Sequence, residues 1–442
     1  MIKKIQLELF IFTIILISIL FTYKADNEIY NFFSNLNYGY GSAYLKEFFV
    51  KITYLGDSLW YFLFFSIFFS YSFFAKTTKL ISVEKYHYIR KFSFFGFAYL
   101  LLVGLVTQII KHLIGRPRPN HSQLDGSFEF VFFTTESAFH SFPSGHSSTI
   151  IAIALIASLV LPSLRYFFYV CGFLIALSRI VVGAHFVTDV VAGSLIAIMV
   201  FKVFDFFIKE RYPKIYWNSL DLPETSILIK TTIAIFILAI FVTVGSTLDI
   251  YISSLFYYGK NQFWIQSYYP VSIFFRKILL PLLLIYIFLL PMIIKFTPIK
   301  KLYFNYKFSL SELFFIWLSG IFTMLLVVNV LLKNMWGRAR PNDILQFGGV
   351  ESFTPWYKIV DVCASNCSFV SGDSSVGFLL VVFYFITKKN NYLYLAIFFG
   401  FLLGLIRIIA GGHFFSDIIF SYIVVTASVL VSFVLYKKLY AK

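Results

Sequence analysis

Twelve apolar segments, each near the length of a membrane-spanning helix, constrain this 442-residue chain more than any other feature. A transmembrane helix needs about 20 predominantly apolar residues. The segments lie near 5–23, 56–75, 92–110, 146–163, 167–184, 190–208, 230–248, 271–294, 312–332, 374–387, 392–409 and 415–436. Only 13% of the residues are charged, against roughly a quarter in a soluble domain. The sequence therefore predicts an all-α integral membrane protein with about twelve transmembrane helices, and it excludes an ordinary soluble enzyme.

The net charge of +16 follows the same pattern. In a twelve-helix topology, most lysines and arginines fall in loops on one side of the membrane. These loops lie near 3–4, 76–91, 209–214, 295–307, 388–389 and 437–442. Basic loops mark the cytoplasmic side. Both termini are therefore expected on the cytoplasmic side of a bacterial inner membrane. The charge is thus explained by topology, and no nucleic-acid partner is expected.

The two halves of the chain repeat each other. Lys111 and Lys333 are 222 residues apart, and His185 and His413 are 228 apart. Equivalent residues follow equivalent apolar segments, so the repeat is parallel and not inverted. The predicted organisation is a first six-helix unit at 1–210, a cytoplasmic linker at 211–229 and a second six-helix unit at 230–442.

Five residues of the first half form a candidate phosphate site at the membrane face opposite the basic loops. Charged side chains at membrane ends are costly and usually functional, and Lys111, Arg118 and Arg179 stand at such ends. Arginine offers a fork for phosphate oxygens and lysine a point charge. Ser144 and Gly145 would add a hydroxyl and backbone N–H groups at a helix start, where anions bind readily.

Two histidines accompany these cations. His185 precedes Asp189 by four residues, so the carboxylate can orient the imidazole and raise its basicity. A histidine held in this way can attack phosphorus, and His146 can protonate the leaving oxygen. No cluster of carboxylates points to a two-metal site, so neither a metal nor another cofactor is expected.

Taken together, Lys-x6-Arg-Pro, Pro-Ser-Gly-His and Ser-Arg-x5-His-x3-Asp resemble the motifs of the type 2 phosphatidic acid phosphatase superfamily. The matching residues are Lys111, Arg118 and Pro119; Pro143 to His146; and Ser178, Arg179, His185 and Asp189. The resemblance implies a six-helix unit in which His185 forms a phosphohistidine, Asp189 is its partner and His146 is the general acid. It assigns phosphate binding to the same three cations and to Ser144 and Gly145.

The second half keeps the outer two motifs but changes the middle one. Val370-Ser371-Gly372-Asp373 replaces the proline and the histidine. The run WGRARPNDILQFGG…FTPWY…CASNCSFVSGD resembles the lipid A phosphatase branch of the superfamily. The resemblance implies phosphate binding by Lys333, Arg340, Ser371, Gly372 and Arg407, with His413 and Asp417 as nucleophile and partner. Asp373 would serve as acid if desolvation favours its protonated form; otherwise the second site is slower, differently tuned or limited to binding.

Two cysteines, Cys363 and Cys367, lie in an outer loop with three residues between them. The periplasm permits disulfides, so a bond between them is favoured over free thiols. A zinc site is not favoured, because no second pair of ligands is nearby.

The motifs predict a lipid phosphatase whose sites face the periplasm. The expected substrate is a lipid-linked phosphate or pyrophosphate. The resemblance of the second half makes lipid A the preferred one, with undecaprenyl pyrophosphate or phosphatidylglycerol phosphate as alternatives. A phosphotransferase is the first rival, since a phosphohistidine can pass its phosphoryl group to another acceptor. A twelve-span transporter is the second rival. The polar residues at one membrane face oppose it, because carriers usually bind substrate at the midplane.

Overall fold

The computed structural model describes residues 23–34, 42–77, 83–119, 130–211, 227–260, 262–265, 269–296, 306, 308–363 and 365–440. Within these ranges the chain is mostly helical, with one short antiparallel hairpin. It divides into two compact units, Met1–Thr225 and Ser226–Lys442. The predicted segment at 5–23 lies outside the described residues except for its last residue, as does most of the linker.

The first unit is built from helices of very different lengths. They are α1 (Tyr23–Ser34), α2 (Ser42–Ile52), α3 (Ser58–Thr77), α4 (Val83–Ile114), α5 (Gly145–Val160), α6 (Arg165–Val181) and α7 (Val187–Arg211). Single 3₁₀ turns occupy Thr53–Gly56, Ser137–Phe139 and Pro162–Leu164. Tyr99 of α4 is fully buried and donates a hydrogen bond from its hydroxyl to the carbonyl of Ala197 at 2.7 Å. This bond joins the long helices α4 and α7 within the core.

The second unit repeats the arrangement and adds the hairpin. Its elements are α8 (Ile227–Val244), α9 (Leu248–Ser254), β1 (Tyr257–Gly259), β2 (Gln262–Phe263), α10 (Pro270–Phe296), α11 (Leu310–Met335), α12 (Gly372–Thr387), α13 (Asn390–Ile409) and α14 (Phe415–Tyr440). A capping box begins α11, because the Ser309 hydroxyl accepts from the Glu312 N–H and the Glu312 carboxylate accepts from the Ser309 N–H. The core lies around α12, with Ile287, Phe315, Val381 and Val425 almost completely buried.

Eight helices of the described chain are long and apolar enough to cross a membrane. A bent pair, Ser42–Gly56 and Ser58–Phe73, would make a ninth span, while α5 and α12 are apolar but shorter. Every predicted segment from 56–75 onward overlaps one of these helices. The chain is therefore a multi-pass membrane protein, and the count of twelve spans stays a prediction.

Glycines shape the turn that follows α4 and its counterpart after α11. Gly115 and Gly337 have φ angles of 61° and 68°, in the left-handed region that favours glycine. A Cβ at Gly115 would lie 1.7 Å from the carbonyl oxygen of Val131, and one at Gly337 would lie 1.6 Å from that of Val360. Each turn therefore depends on glycine to bring the basic motif against the loop that follows it.

Candidate active site

His185 lies in the short loop between α6 and α7 and is almost completely buried. Its Nδ1 is 2.7 Å from the carbonyl oxygen of Ser141, whereas Asp189 Oδ2 is 3.7 Å away. A carbonyl can only accept, so Nδ1 donates its proton and Nε2 keeps its lone pair. Burial lowers the pKa of His185 to about 3, although Asp189 opposes the shift. The imidazole is thus held neutral, with Nε2 suited to nucleophilic attack.

The second unit builds the same contact from its own residues. His413 Nδ1 is 2.7 Å from the carbonyl oxygen of Ser368 and 3.6 Å from Asp417 Oδ2. Burial lowers the pKa of His413 to about 4, again against the opposing effect of Asp417. Two independent copies of the geometry indicate that the serine carbonyl is a regular part of the site.

Asp189 acts on the histidine mostly through Ser141. Its Oδ2 accepts from the Ser141 hydroxyl at 2.6 Å and from the Phe186 N–H at 2.8 Å. Its Oδ1 accepts from Arg116 Nη1 at 2.6 Å. The buried carboxylate is therefore fully hydrogen-bonded, and it positions the serine whose carbonyl orients His185. In the second unit, Asp417 accepts from Ser368 and Arg338 in the same way.

Sequence reasoning missed a buried Asp–Arg–Asp triad behind each histidine. Arg116 donates from Nη2 to Asp26 Oδ2 at 2.8 Å while Nη1 binds Asp189. Arg338 bridges Asp249 and Asp417 at 2.8 and 2.6 Å. A signal was present, because Arg116 and Arg338 are 222 residues apart, like Lys111 and Lys333. The triad ties the short helix α1, through Asp26, to the start of α7.

The three predicted cations of the first unit meet in one cavity. Lys111, Arg118 and Arg179 line a space of about 380 Å³ together with Gly145, His146 and His185. Arg179 Nη1 donates to the Thr53 hydroxyl at 2.8 Å. This bond fixes the guanidinium against the 3₁₀ turn that follows α2. Burial lowers the pKa of Arg118, with Asp189 acting in the opposite direction. The cavity thus combines cations, a neutral buried histidine and a second histidine.

The two serines predicted to bind phosphate, Ser144 and Ser371, also cap helices. Ser144 and Ser371 are completely buried, and their hydroxyls accept from the backbone N–H groups of Ser147 and Ser374 at 3.4 Å. Each hydroxyl is thus the N-cap of its helix. Ser144 is absent from the residues that line the cavity, and its contact with phosphate stays a prediction.

The glycines after these serines lie beside the lysines. A Cβ at Gly145 would be 3.7 Å from Lys111 Nζ, and one at Gly372 would be 3.1 Å from Lys333 Nζ. Each ammonium group therefore lies close to the N-terminus of its helix, and at Gly372 a side chain would crowd it. This arrangement suits an anion, which gains from both the ammonium and the free N–H groups.

A closed loop supports the cations of the second unit. Cys363 and Cys367 are joined by a disulfide, with their Cα atoms 5.7 Å apart. Between them, Asn366 accepts from Lys333 Nζ at 3.2 Å through Oδ1 and from Arg340 Nη2 at 2.7 Å through its carbonyl. The loop therefore fixes two of the predicted phosphate ligands. The charges of Arg340, Arg407 and Asp373 all act on Lys333, which places these residues in one cluster.

Comparison with known proteins finds similar sequences among phosphatases. The lipid A 1-phosphatase of Rhizobium johnstonii is 39% identical over 106 residues, 24% of this chain and 43% of that protein. The lipid A 4'-phosphatase of Francisella tularensis subsp. novicida is 43% identical over 121 residues, 26% of this chain and 53% of that protein. Phosphatidylglycerophosphatase B of Bacillus subtilis is 29% identical over 179 residues, 36% of this chain and 72% of that protein.

The chain thus spans about half the length of these two lipid A phosphatases. A family model described as the PAP2 superfamily matches residues 93–213 and 313–441, one segment in each unit and more than half of the chain together. These segments contain every motif residue described above, which confirms the tandem resemblance. The chain belongs to the PAP2 superfamily, with one copy of the family's unit in each half.

Proposed function

We propose that this protein is a membrane lipid phosphatase that works through a phosphohistidine at His185. One observation carries the proposal. The cavity of about 380 Å³ gathers three cations around a buried histidine, and the Ser141 carbonyl leaves only Nε2 of that histidine free to react. Preorganised cations around a phosphoryl group supply the electrostatic stabilisation that phosphoryl transfer requires.

The reaction has two steps. In the first, His185 Nε2 forms a bond to phosphorus, the bond between phosphorus and the lipid oxygen breaks, and His146 gives its proton to that oxygen. In the second, His146 takes a proton from water, the water oxygen bonds to phosphorus, and the N–P bond breaks to release inorganic phosphate. Lys111, Arg118 and Arg179 stabilise the charge on the phosphoryl oxygens in both steps.

The proposed substrate is a lipid-linked phosphate or pyrophosphate. The names of the two relatives from Rhizobium and Francisella favour lipid A. That of the Bacillus relative favours phosphatidylglycerol phosphate, and undecaprenyl pyrophosphate is a further candidate of the same chemistry. The distribution of basic loops supports an inner-membrane location with cytoplasmic termini and both sites facing the periplasm.

The test is phosphate release by the full-length protein in detergent micelles. Lipid A, phosphatidylglycerol phosphate and undecaprenyl pyrophosphate are offered separately to the wild type and to His185→Ala, His413→Ala and the double variant. Loss of a histidine nucleophile should lower release at its unit by at least about 100-fold. His112→Ala is the matched control, because this exposed histidine hydrogen-bonds only to the Gln108 carbonyl in its own helix among the contacts described.

Wild-type rates of release by the double variant would overturn the histidine mechanism. A labelled lipid product that forms when a second lipid is supplied as acceptor would instead establish a phosphotransferase.

A further inference from the structure

An arginine outside every motif reaches the middle motif of the second unit. Arg276 lies in α10, and its Nε is 3.5 Å from Asp373 Oδ2. Arg407 Nε is 3.6 Å from the same oxygen. The carboxylate of Asp373, which stands where the first unit has His146, therefore forms ion pairs with two guanidinium groups from different helices.

These ion pairs lack hydrogen bonds. Within the described ranges, neither Asp373 Oδ2 nor Arg407 Nε has a hydrogen-bond partner, although both atoms are buried. Arg407 is 7% exposed, so its Nε is held inside the cluster by packing. A buried donor and a buried acceptor that form no hydrogen bond each cost free energy, because they have lost their contacts with water. A phosphoryl group, with three oxygens and more charge, would satisfy these donors better than one carboxylate oxygen.

Arg276 belongs to the cation cluster electrostatically. Burial lowers the pKa of Arg340, and the charge of Arg276 lowers it further against the opposing effect of nearby carboxylates. Arg276 also acts on Arg407. Together with Lys333, four cations thus face this cluster. Like charges so close repel one another, and an anion among them relieves the repulsion.

The first unit has different residues around its cations. Its cavity is lined by Asp57 and His146, beside three cations. In the second unit an acidic residue, Asp373, stands at the helix start, and Arg276 lies beside it. The charged residues of the second site are therefore arranged differently from those of the first site.

We propose that Arg276 is a fourth phosphate-binding cation of the second unit, and that Asp373 is an internal anion which holds Arg276 and Arg407 until a phosphoryl group displaces it. The inference rests on the proposed phosphate site of that unit. It assigns Asp373 to competition with phosphate and not to proton donation.

The test is calorimetric titration of inorganic phosphate into the full-length protein in detergent. Arg118→Ala and Arg179→Ala are introduced together to remove binding at the first unit. On this background, Arg276→Gln should weaken phosphate binding about tenfold or more, and Asp373→Asn should tighten it. The weakening by Arg276→Gln should persist when Asp373→Asn is also present. Lys277→Gln, an exposed cation beside Arg276 in the same helix, is the matched control and should change little.

Each contrary outcome has its own meaning. If Arg276→Gln has no effect once Asp373 is Asn, Arg276 only neutralises the carboxylate and the inference is wrong. If Asp373→Asn leaves affinity unchanged or lowers it, Asp373 is no competitor, which also overturns the inference. If phosphate binds neither with Asp373 intact nor with Asp373→Asn while Arg276 is intact, the proposed phosphate site of the second unit fails, and the inference fails with it. Arg276→Gln is expected to fold, because the Arg276 side chain is 45% exposed.

Discussion

Arg116→Met is the substitution that most directly tests the buried triad of the first unit. Arg116 is 1% exposed and lies between Asp26 and Asp189, which are 1% and 0% exposed. The triad carries one positive and two negative charges. Methionine keeps much of the side-chain volume but leaves two buried carboxylates without their cation, whereas Asp26→Asn leaves the single pair of Arg116 with Asp189.

Removing one partner of a buried ion pair costs about 3–5 kcal/mol. For a unit of roughly 200 residues, each kcal/mol lowers the melting temperature by roughly 2–4 °C. Arg116→Met should therefore lower it by roughly 6–20 °C. Asp26→Asn should cost less, about 1–3 kcal/mol, because it loses hydrogen bonds but leaves the remaining charges balanced. Phosphate release at the first unit should fall too, since Asp189 positions Ser141 and thereby His185.

The assay is thermal unfolding of the full-length protein in detergent, followed by intrinsic fluorescence at a fixed scan rate. Arg165→Met is the matched control, because Arg165 is exposed at the start of α6 and such surface changes usually cost under about 0.5 kcal/mol. The reasoning is refuted if Arg116→Met melts with the wild type, or if Asp26→Asn is the more destabilising of the two.

Two further predictions concern pH and the disulfide. The folded-state pKa values of His185 and His413, about 3 and about 4, lie below the unfolded value of about 6.5. As the pH falls, the two histidines take up protons in the unfolded chain before they do so in the folded protein. The free energy of unfolding that they contribute is therefore complete above pH ~6.5 and declines toward pH 3–4. The melting temperature of the double alanine variant should fall less steeply over that range, and parallel curves would contradict the buried neutral histidines. Replacing Cys363 and Cys367 with serine should weaken inorganic phosphate binding at the second unit, measured by calorimetry, because Asn366 loses its closed loop. Unchanged affinity would show that the loop holds its shape without the bond.

Hydrophobic length and charge motifs made most of the fold predictable from the sequence. Apolar runs of about 20 residues have few alternatives to a membrane helix, so the described helices overlap the predicted segments. The role of the cations could be predicted because charged side chains at the ends of membrane helices are costly and usually functional. Lys111, Arg118 and Arg179 indeed line one cavity.

What escaped prediction depends on backbone atoms and on distant segments. The partner of His185 Nδ1 is a carbonyl oxygen of Ser141, and a backbone carbonyl has no sequence signature. Asp26 lies in a short amphipathic helix about 90 residues before Arg116, so only the fold brings the two together. The serine of Pro-Ser-Gly-His also caps its helix, because its hydroxyl accepts from the Ser147 N–H, and the motif alone did not indicate that role.

The most direct test of the central claim is the site of the covalent intermediate. The full-length protein with His413→Ala is mixed with a lipid phosphate labelled with ³²P and quenched in alkali within the first turnover. Digestion and mass spectrometry then locate the label. The proposed mechanism predicts an acid-labile phosphoryl group on the peptide that contains His185, and no label after His185→Ala. Label on His146 or on a carboxylate, or rapid phosphate release by His185→Ala/His413→Ala, would contradict it.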